Sequence, residues 1–209
     1  MKDLDFFELE KDLEHISYTS QLGKKLSKTL RHFDRYELFT EIESIQDFYY
    51  DNMILLDELR AKNGFNYRIK SIDSCERKYE KYLHGRELEK VFDDILGLRF
   101  ALKSYSYVLN KSLPGTMRLV NMTQGNMLKN GYSGVHIYYQ KDKKSYPIEL
   151  QFNTHKDWEF NDWLHIHVYK KEDDSVGWNL RKEYDCGKIK NEVDFLEVLN
   201  NVLSSGKRL

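Results

Sequence analysis

Residues 132–152 read YSGVHIYYQKDKKSYPIELQF, and the reading of this stretch decides the fold. Two runs rich in β-branched and aromatic residues, Tyr132 to Gln140 and Ser145 to Phe152, flank a polar Lys-Asp-Lys-Lys segment. That pattern predicts a pair of antiparallel strands joined as a hairpin. Successive side chains in a strand point to opposite faces. Val135, Ile137 and Tyr139 therefore share one face of the first strand, and Tyr132, Gly134, His136 and Tyr138 the other. In the second, Ile148, Leu150 and Phe152 oppose Glu149, Gln151 and Asn153. An antiparallel sheet with one solvated face gives this alternation. A functional face gives it too, and the choice of Gly, His, Glu and Gln over Lys, Thr and Arg speaks for the latter.

Outward from the hairpin, Ile95 to Leu102 is a compact apolar run of strand length, and Thr116 to Met122 is strand-like. Residues from about Asp5 to Asn63 carry apolar positions at spacings of three and four, which predicts two or three helices ending at Asn63-Gly64. Further helices are expected over Ser71 to Tyr82, Lys156 to Lys171 and Glu192 to Leu203. The order predicts an α+β fold, a mixed and mostly antiparallel sheet flanked by helices. We divide it into an N-terminal helical region, 1–65, packed on a domain of 66–209 that carries the chemistry.

The chain has 209 residues, 32% of them charged, with a formal net charge of −1, the composition of a globular protein rather than a disordered one. Any basic surface must therefore be local. The two cysteines, Cys75 and Cys186, fit no metal or redox spacing. No apolar run approaches a membrane span and the acidic start is not a signal peptide, so the expected location is the cytoplasm, without a membrane partner.

Three polar constellations stand out. FDDILGLRF places Asp93 and Asp94 ahead of a buried strand and Arg99 inside it, where an arginine needs a partner. If the strands are neighbours, Asp94 and Glu149 could share a divalent cation, since Mg²⁺ takes one or two carboxylates together with phosphate oxygens. YRIKSIDSCERK puts Arg68 and Lys70 on one side of an extended segment, with Ser74 and Lys78 four apart on the helix that follows. Such a set can cradle a polyphosphate; it can equally be an exposed basic helix. The third constellation is the Tyr132 strand itself.

Together these stretches resemble the synthetase domain of the RelA/SpoT family, in particular its small single-domain members, the small alarmone synthetases. The resemblance runs from about Tyr67 to Lys170. It rests on Arg68, Lys70, Ser74 and Lys78; on Asp94, Gly97 and Arg99; on Asn130, Gly131, Tyr132 and His136; on Glu149 and Gln151; and on His165, Tyr169 and Lys170. It implies a nucleotidyltransferase-like fold and a pyrophosphokinase that moves the β,γ-pyrophosphate of ATP to a ribose 3′-hydroxyl with release of AMP. Arg68, Lys70, Ser74, Lys78 and Arg99 would then hold ATP. Asp94 and Glu149 would be catalytic and hold Mg²⁺, with Glu149 assisting deprotonation of the attacking hydroxyl. Tyr132, His136, Asn130, Lys129 and Gln151 would hold the acceptor, Tyr132 stacking on its base.

Three departures fall on the acceptor side. Asn153-Thr154 stands where most members have Arg-Thr, Lys129 lies three rather than four residues before the tyrosine, and Asn121 replaces an aspartate. In nucleotide-making members such basic residues grip the 5′-phosphates of GDP or GTP. Separately, the helical spacing of QLGKKLSKTLRHFDR gathers Lys24, Lys25, Lys28, Arg31 and Arg35 on one face, opposite Leu22, Leu26, Leu30 and Phe33. A stripe of one sign suits a phosphate backbone; a solvated face of a docked helix is the alternative. Both features point to the toxic branch that modifies the 3′-CCA end of tRNA and blocks translation, with an antitoxin protein as a partner. The alternatives are (p)ppGpp synthesis from GDP or GTP in a stringent response and a catalytically dead nucleotide- or RNA-binding module. A homo-oligomer fits any of these.

Overall fold

The computed structural model describes residues 4–23, 25–123, 130–169 and 176–204. Their architecture is α+β. A five-stranded mixed sheet has the order β1-β2-β5-β4-β3, with strands at Asn66–Ile69 (β1), Leu96–Leu102 (β2), Met117–Asn121 (β3), Val135–Tyr139 (β4) and Ile148–Thr154 (β5). β1 and β2 pair antiparallel, with Arg68 opposite Gly97 and Asn66 opposite Arg99. β4 and β5, joined through the predicted polar loop, are hydrogen-bonded neighbours, and β5 is the neighbour of β2.

Two compact units share the chain. The first spans 1–100, 110–119 and 136–151. Its helices are α1 (Phe6–Glu14), α2 (Arg35–Asp51), α3 (Met53–Asn63), α4 (Ile72–Tyr82) and the short α5 (Leu88–Val91). Asp5 caps α1 by accepting from the Phe7 and Glu8 amides, and Gly64 ends α3 in the left-handed region, φ 76°. Leu9, Leu13, Leu38, Ile42, Ile45, Leu98, Ile137 and Leu150 build its buried core. The second unit spans 101–109, 120–135 and 152–209. It holds α6 (Ser106–Leu109), α7 (His155–His167), α8 (Gly177–Asp185) and α9 (Glu192–Ser204). Phe160, Trp163, Leu164, Leu180, Tyr184, Phe195 and Leu199 form its core, with the Phe160 and Tyr184 rings stacked at 4.5 Å. His167, on that face of α7, bonds Glu192 at 2.7 Å.

The structure corrects two expectations. Residues 21–23 and 25–28 are bends, turns and irregular chain, Thr29 bridges to Glu87, and a 3-10 turn follows at Leu30–His32, so among the described residues no α-helix carries the basic stripe before Arg35. Leu26 and Leu30 are buried all the same, because this segment spends its backbone groups on distant chain. Glu89 N donates to Leu26 O, Leu88 N to Lys28 O and Leu30 N to Arg86 O, at 3.0, 2.9 and 3.1 Å. Lys25, Lys28 and Arg31 are exposed on a loop, and Lys24 lies outside the described residues. Arg35, at the start of α2, pairs with Glu80 at 2.7 Å and Glu76 at 3.5 Å.

Second, the strand predicted from Tyr132 begins at Val135. Ser133 bonds side chains instead of a neighbouring strand: its carbonyl accepts from Asn161 (2.7 Å) and Asn153 (2.9 Å), and its amide donates to Asn161 Oδ1 (3.2 Å).

Candidate functional site

Within the first unit, the approach to β2 and strands β4 and β5 bring three polar side chains to one buried cluster, which Lys78 of α4 joins from its edge. Asp94 stands two residues before β2 and is 8% exposed; Glu149, the second residue of β5, is 5% exposed, and His136 of β4 is 7% exposed. A solvated sheet face would not bury these groups, so of the two readings of the alternation the solvated one falls.

Each carboxylate is compensated differently. Lys70, just past β1, places Nζ 2.6 Å from Asp94 Oδ2, and Lys78 of α4 places its own 3.0 Å from Oδ1. Burial pushes the Asp94 carboxyl up, but the Lys78 and Lys70 ammoniums outweigh it and hold it below its usual range. Lys78 also reaches Asp93 at 3.7 Å. Burial lowers the Lys78 ammonium, and the charges of Asp94 and Asp93 overcome that and raise it. Asp93, lacking such close partners, is pushed up to about 7, chiefly by burial and further by Asp94 and Glu149.

Glu149 is held by its own strand and the next. His136 Nδ1 lies 2.9 Å from Oε1, Tyr138 donates its hydroxyl to the same oxygen at 3.1 Å, and Gln151 donates to Oε2 at 2.6 Å. Gln151 accepts in turn from Arg99 Nε at 3.1 Å, which gives the buried-strand arginine its partner. Burial opposes ionisation of Glu149, but the hydrogen bond and charge of His136 bring the carboxyl below its usual range. Oε2 passes 3.7 Å from where a Cβ on Gly97 would stand, beside Arg68 on the paired strand. Arg68 itself is exposed, and Ser74 is engaged locally, by Ser71 at 3.0 Å and Arg77 at 2.9 Å.

Tyr138 shares the polar face of β4 with His136 but is not among the residues that the resemblance named. Its phenol, held well above the usual range by burial and then by Glu149, stays a hydrogen-bond donor. Arg118 of β3 stacks on its ring at 4.7 Å. A cavity of about 360 Å³ opens beside it, lined among others by Asp93, Arg118, Tyr138 and Gln140. A phenol on the polar face of β4, in parity with His136, was the signal available in the sequence.

The remaining predicted residues belong to the second unit. Asn130 Oδ1 accepts from the Tyr132 amide at 3.2 Å, and the Asn130 carbonyl accepts from the Tyr169 hydroxyl at 3.0 Å. Tyr132 is half-buried, with its ring edge over Gly134, where a Cβ would stand 2.9 Å from the Tyr132 hydroxyl and 2.6 Å from Asn153 Nδ2. Gly131, at φ 84°, turns the chain where a Cβ would meet the Gly177 carbonyl at 2.2 Å. Asn153 and Asn161 clamp this loop; Asn153 was marked by its parity with Glu149 and Gln151 and by the departure at Asn153-Thr154, whereas Asn161, on α7, had no signal. Lys129 and Lys170 lie outside the described residues. His165 is exposed on α7.

The donor set suits a hard cation. Asp94 and Glu149 are carboxylates within electrostatic reach of one another, each raising the cost of the other's charge. Among the described residues no group of three or more His, Cys, Asp or Glu is placed to hold a metal by itself, so further oxygens would have to come from a ligand.

No family model matches the chain, and no curated protein sequence matches it. Among solved structures it is similar to small alarmone synthetase 1 of Bacillus subtilis, at 15% identity over 80% of this chain and 100% of that one, with a TM-score of 0.47. It is similar to small alarmone synthetase 2 of the same organism at 17% identity, over 79% and 100%, with a TM-score of 0.46. A GTP pyrophosphokinase family protein of Streptococcus pneumoniae follows at 18% identity, over 77% and 96%, with a TM-score of 0.42.

Proposed function

We propose that this chain is a RelA/SpoT-type synthetase domain that transfers the β,γ-pyrophosphate of ATP to a ribose 3′-hydroxyl and releases AMP. One observation carries the reading: two lysines converge on buried Asp94 while Glu149, on the strand beside β2, stays ionised in a cage of donors. Such ion pairs are preformed partners for a polyphosphate, whose oxygens can take the ammoniums from the carboxylates. Arg68, Lys70, Ser74, Lys78 and Arg99 are the ATP contacts in this reading. Asp94 and Glu149 are the residues that would hold Mg²⁺, which when bound offsets phosphate charge.

The acceptor 3′-oxygen attacks the β-phosphorus, and the bond from that phosphorus to the oxygen bridging to the α-phosphate breaks. AMP leaves with that oxygen, and the hydroxyl proton passes to Glu149. A carboxyl held below its usual range is ionised at neutral pH and free to accept it. His136, Tyr138 and Gln151 fix the orientation of that carboxylate. Tyr132 offers the acceptor base its ring, with Asn130 setting the loop.

GDP or GTP and the 3′ end of tRNA are the two acceptors of this chemistry. One observation favours tRNA: Asn153, at the position of the family's arginine, is 6% exposed and bonded to the Ser133 carbonyl, so it offers nothing to a 5′-phosphate. Against this, the basic residues 25–35 lack the helical stripe that suited a tRNA backbone. The test is incubation with β,γ-labelled ATP and GDP, GTP or deacylated tRNA, with AMP release followed in parallel. Label on one acceptor, lost in Asp94→Asn and Glu149→Gln, is expected. AMP release with none of them would overturn the proposal in favour of a binding module.

A further inference from the structure

Within the second unit, Tyr132 lies between Gly131 and Gly134, ahead of β4, where the chain has the backbone freedom that glycine brings. Asn161 of α7 removes much of that freedom. Its Oδ1 accepts from the Ser133 amide at 3.2 Å, and its Nδ2 donates to the Ser133 carbonyl at 2.7 Å. The Ser133 amide belongs to the same planar peptide as the Tyr132 carbonyl, and the Ser133 carbonyl to the next one. One side chain therefore holds both peptide planes that follow Tyr132. An asparagine carries the C=O and N–H pair of a peptide, so Asn161 serves the loop as a neighbouring strand would. Asn153 adds a second donor to the same carbonyl at 2.9 Å, and its Nδ2 stands with the Tyr132 hydroxyl over Gly134.

Asparagine is a poor choice for the inside of a helix, and a buried amide is costly unless it is hydrogen-bonded. Asn161 nevertheless sits in the interior of α7, 8% exposed, beside the core residue Phe160. It is itself firmly placed. One turn earlier on the helix, Asp157 accepts from the Tyr105 hydroxyl at 2.6 Å and the Thr154 hydroxyl at 2.7 Å, and pairs with Arg181. Before the tyrosine, the Asn130 carbonyl takes the Tyr169 hydroxyl at 3.0 Å. We propose that Asn161 is a positioning residue for the acceptor: through Ser133 it sets the angle of the Tyr132 ring, and with it the affinity for the acceptor base, while taking no part in holding ATP. The inference rests on the pyrophosphate-transfer reading, in which Tyr132 is the acceptor platform. A displacement of about 1 Å in such a platform is enough to spoil the alignment of bound substrate.

Steady-state kinetics of the full chain, with labelled ATP and the acceptor that takes the label, test this. Asn161→Ala should raise KM for the acceptor about tenfold and leave KM for ATP within about twofold of the unmodified value. Asn153→Ala leaves the Ser133 carbonyl its Asn161 donor and should raise the acceptor KM less, by about threefold. A merely structural loss acts differently: it lowers the folded fraction, and so the apparent kcat, and leaves both KM values where they were. Should Asn161→Ala not fold, Asn153→Ala alone decides between a raised acceptor KM and an unchanged one. No label on any acceptor with the unmodified chain overturns the transfer reading and this inference with it. Label on one acceptor whose KM is unchanged in both folded variants, or rises only in step with KM for ATP, overturns this inference alone.

Discussion

Tyr138 and Gly134 are single residues on which the proposed chemistry turns. Removing the Tyr138 hydroxyl deletes one of the donors to Glu149 Oε1 and leaves the ring under Arg118. A hydrogen bond to a charged group is worth about 1.5–3 kcal/mol. Tyr138→Phe should therefore lower kcat about tenfold or more, with KM for ATP unchanged, as measured by steady-state AMP release. Gly134→Ala acts elsewhere. Its Cβ would stand within 3 Å of both the Tyr132 hydroxyl and Asn153 Nδ2, so the platform must shift. KM for the acceptor should rise about tenfold while ATP binding, followed calorimetrically, holds. The thiols differ in the same local way. Cys75 is buried with its thiol pushed up to about 11, chiefly by burial, whereas Cys186 is exposed. A colorimetric thiol reagent at pH 8 should titrate one sulfur per native chain and two after denaturation.

At the scale of elements, long-range hydrogen bonding competes with local periodicity. Leu22, Leu26, Leu30 and Phe33 have helical spacing, yet Thr19, Ser20, Leu26, Lys28, Thr29 and Leu30 pair with residues 86–89 and 143–145, and Leu26 and Leu30 are buried without an α-helix. Periodicity reports which side chains go inside and leaves open how the backbone bonds are satisfied. α7 illustrates the opposite case, a start legible from its residues. Thr154 accepts from the Asp157 amide at 3.1 Å, and Asp157, 6% exposed, is also held by Tyr105 at 2.6 Å and by Arg181. Thr154→Ala should cost about 1 kcal/mol and lower Tm by about 2–4 °C in a calorimetric scan.

For the whole molecule, the charge balance separates the two acceptors. With a net charge of −1, the chain can hold tRNA only through local cation contacts such as Lys25, Lys28 and Arg31. Transfer to tRNA would then fall steeply as salt rises from about 50 to 200 mM, because each phosphate contact releases counterions. Transfer to GDP or GTP has far fewer such contacts and should change much less over the same range. Labelled-product assays across a salt series distinguish the slopes. No helix among the described residues is long and apolar enough to cross a membrane.

The amino-acid order by itself determined the α+β class, the strands read at 95–102 and 145–152 and found at 96–102 and 148–154, the helix ending at Gly64 and the parity that gives His136 and Glu149 the polar faces of their strands. These follow from side-chain alternation, apolar spacing and backbone φ, which are local. Only the tertiary structure decided that Lys70 and Lys78 both close on Asp94, that Tyr138, its ring beneath Arg118, donates to Glu149, that Asn153 turns inward to Ser133, and that residues 25–29 form no helix. Each of these depends on which distant donor meets which acceptor, and a buried polar group takes the partner that the packed chain brings to it.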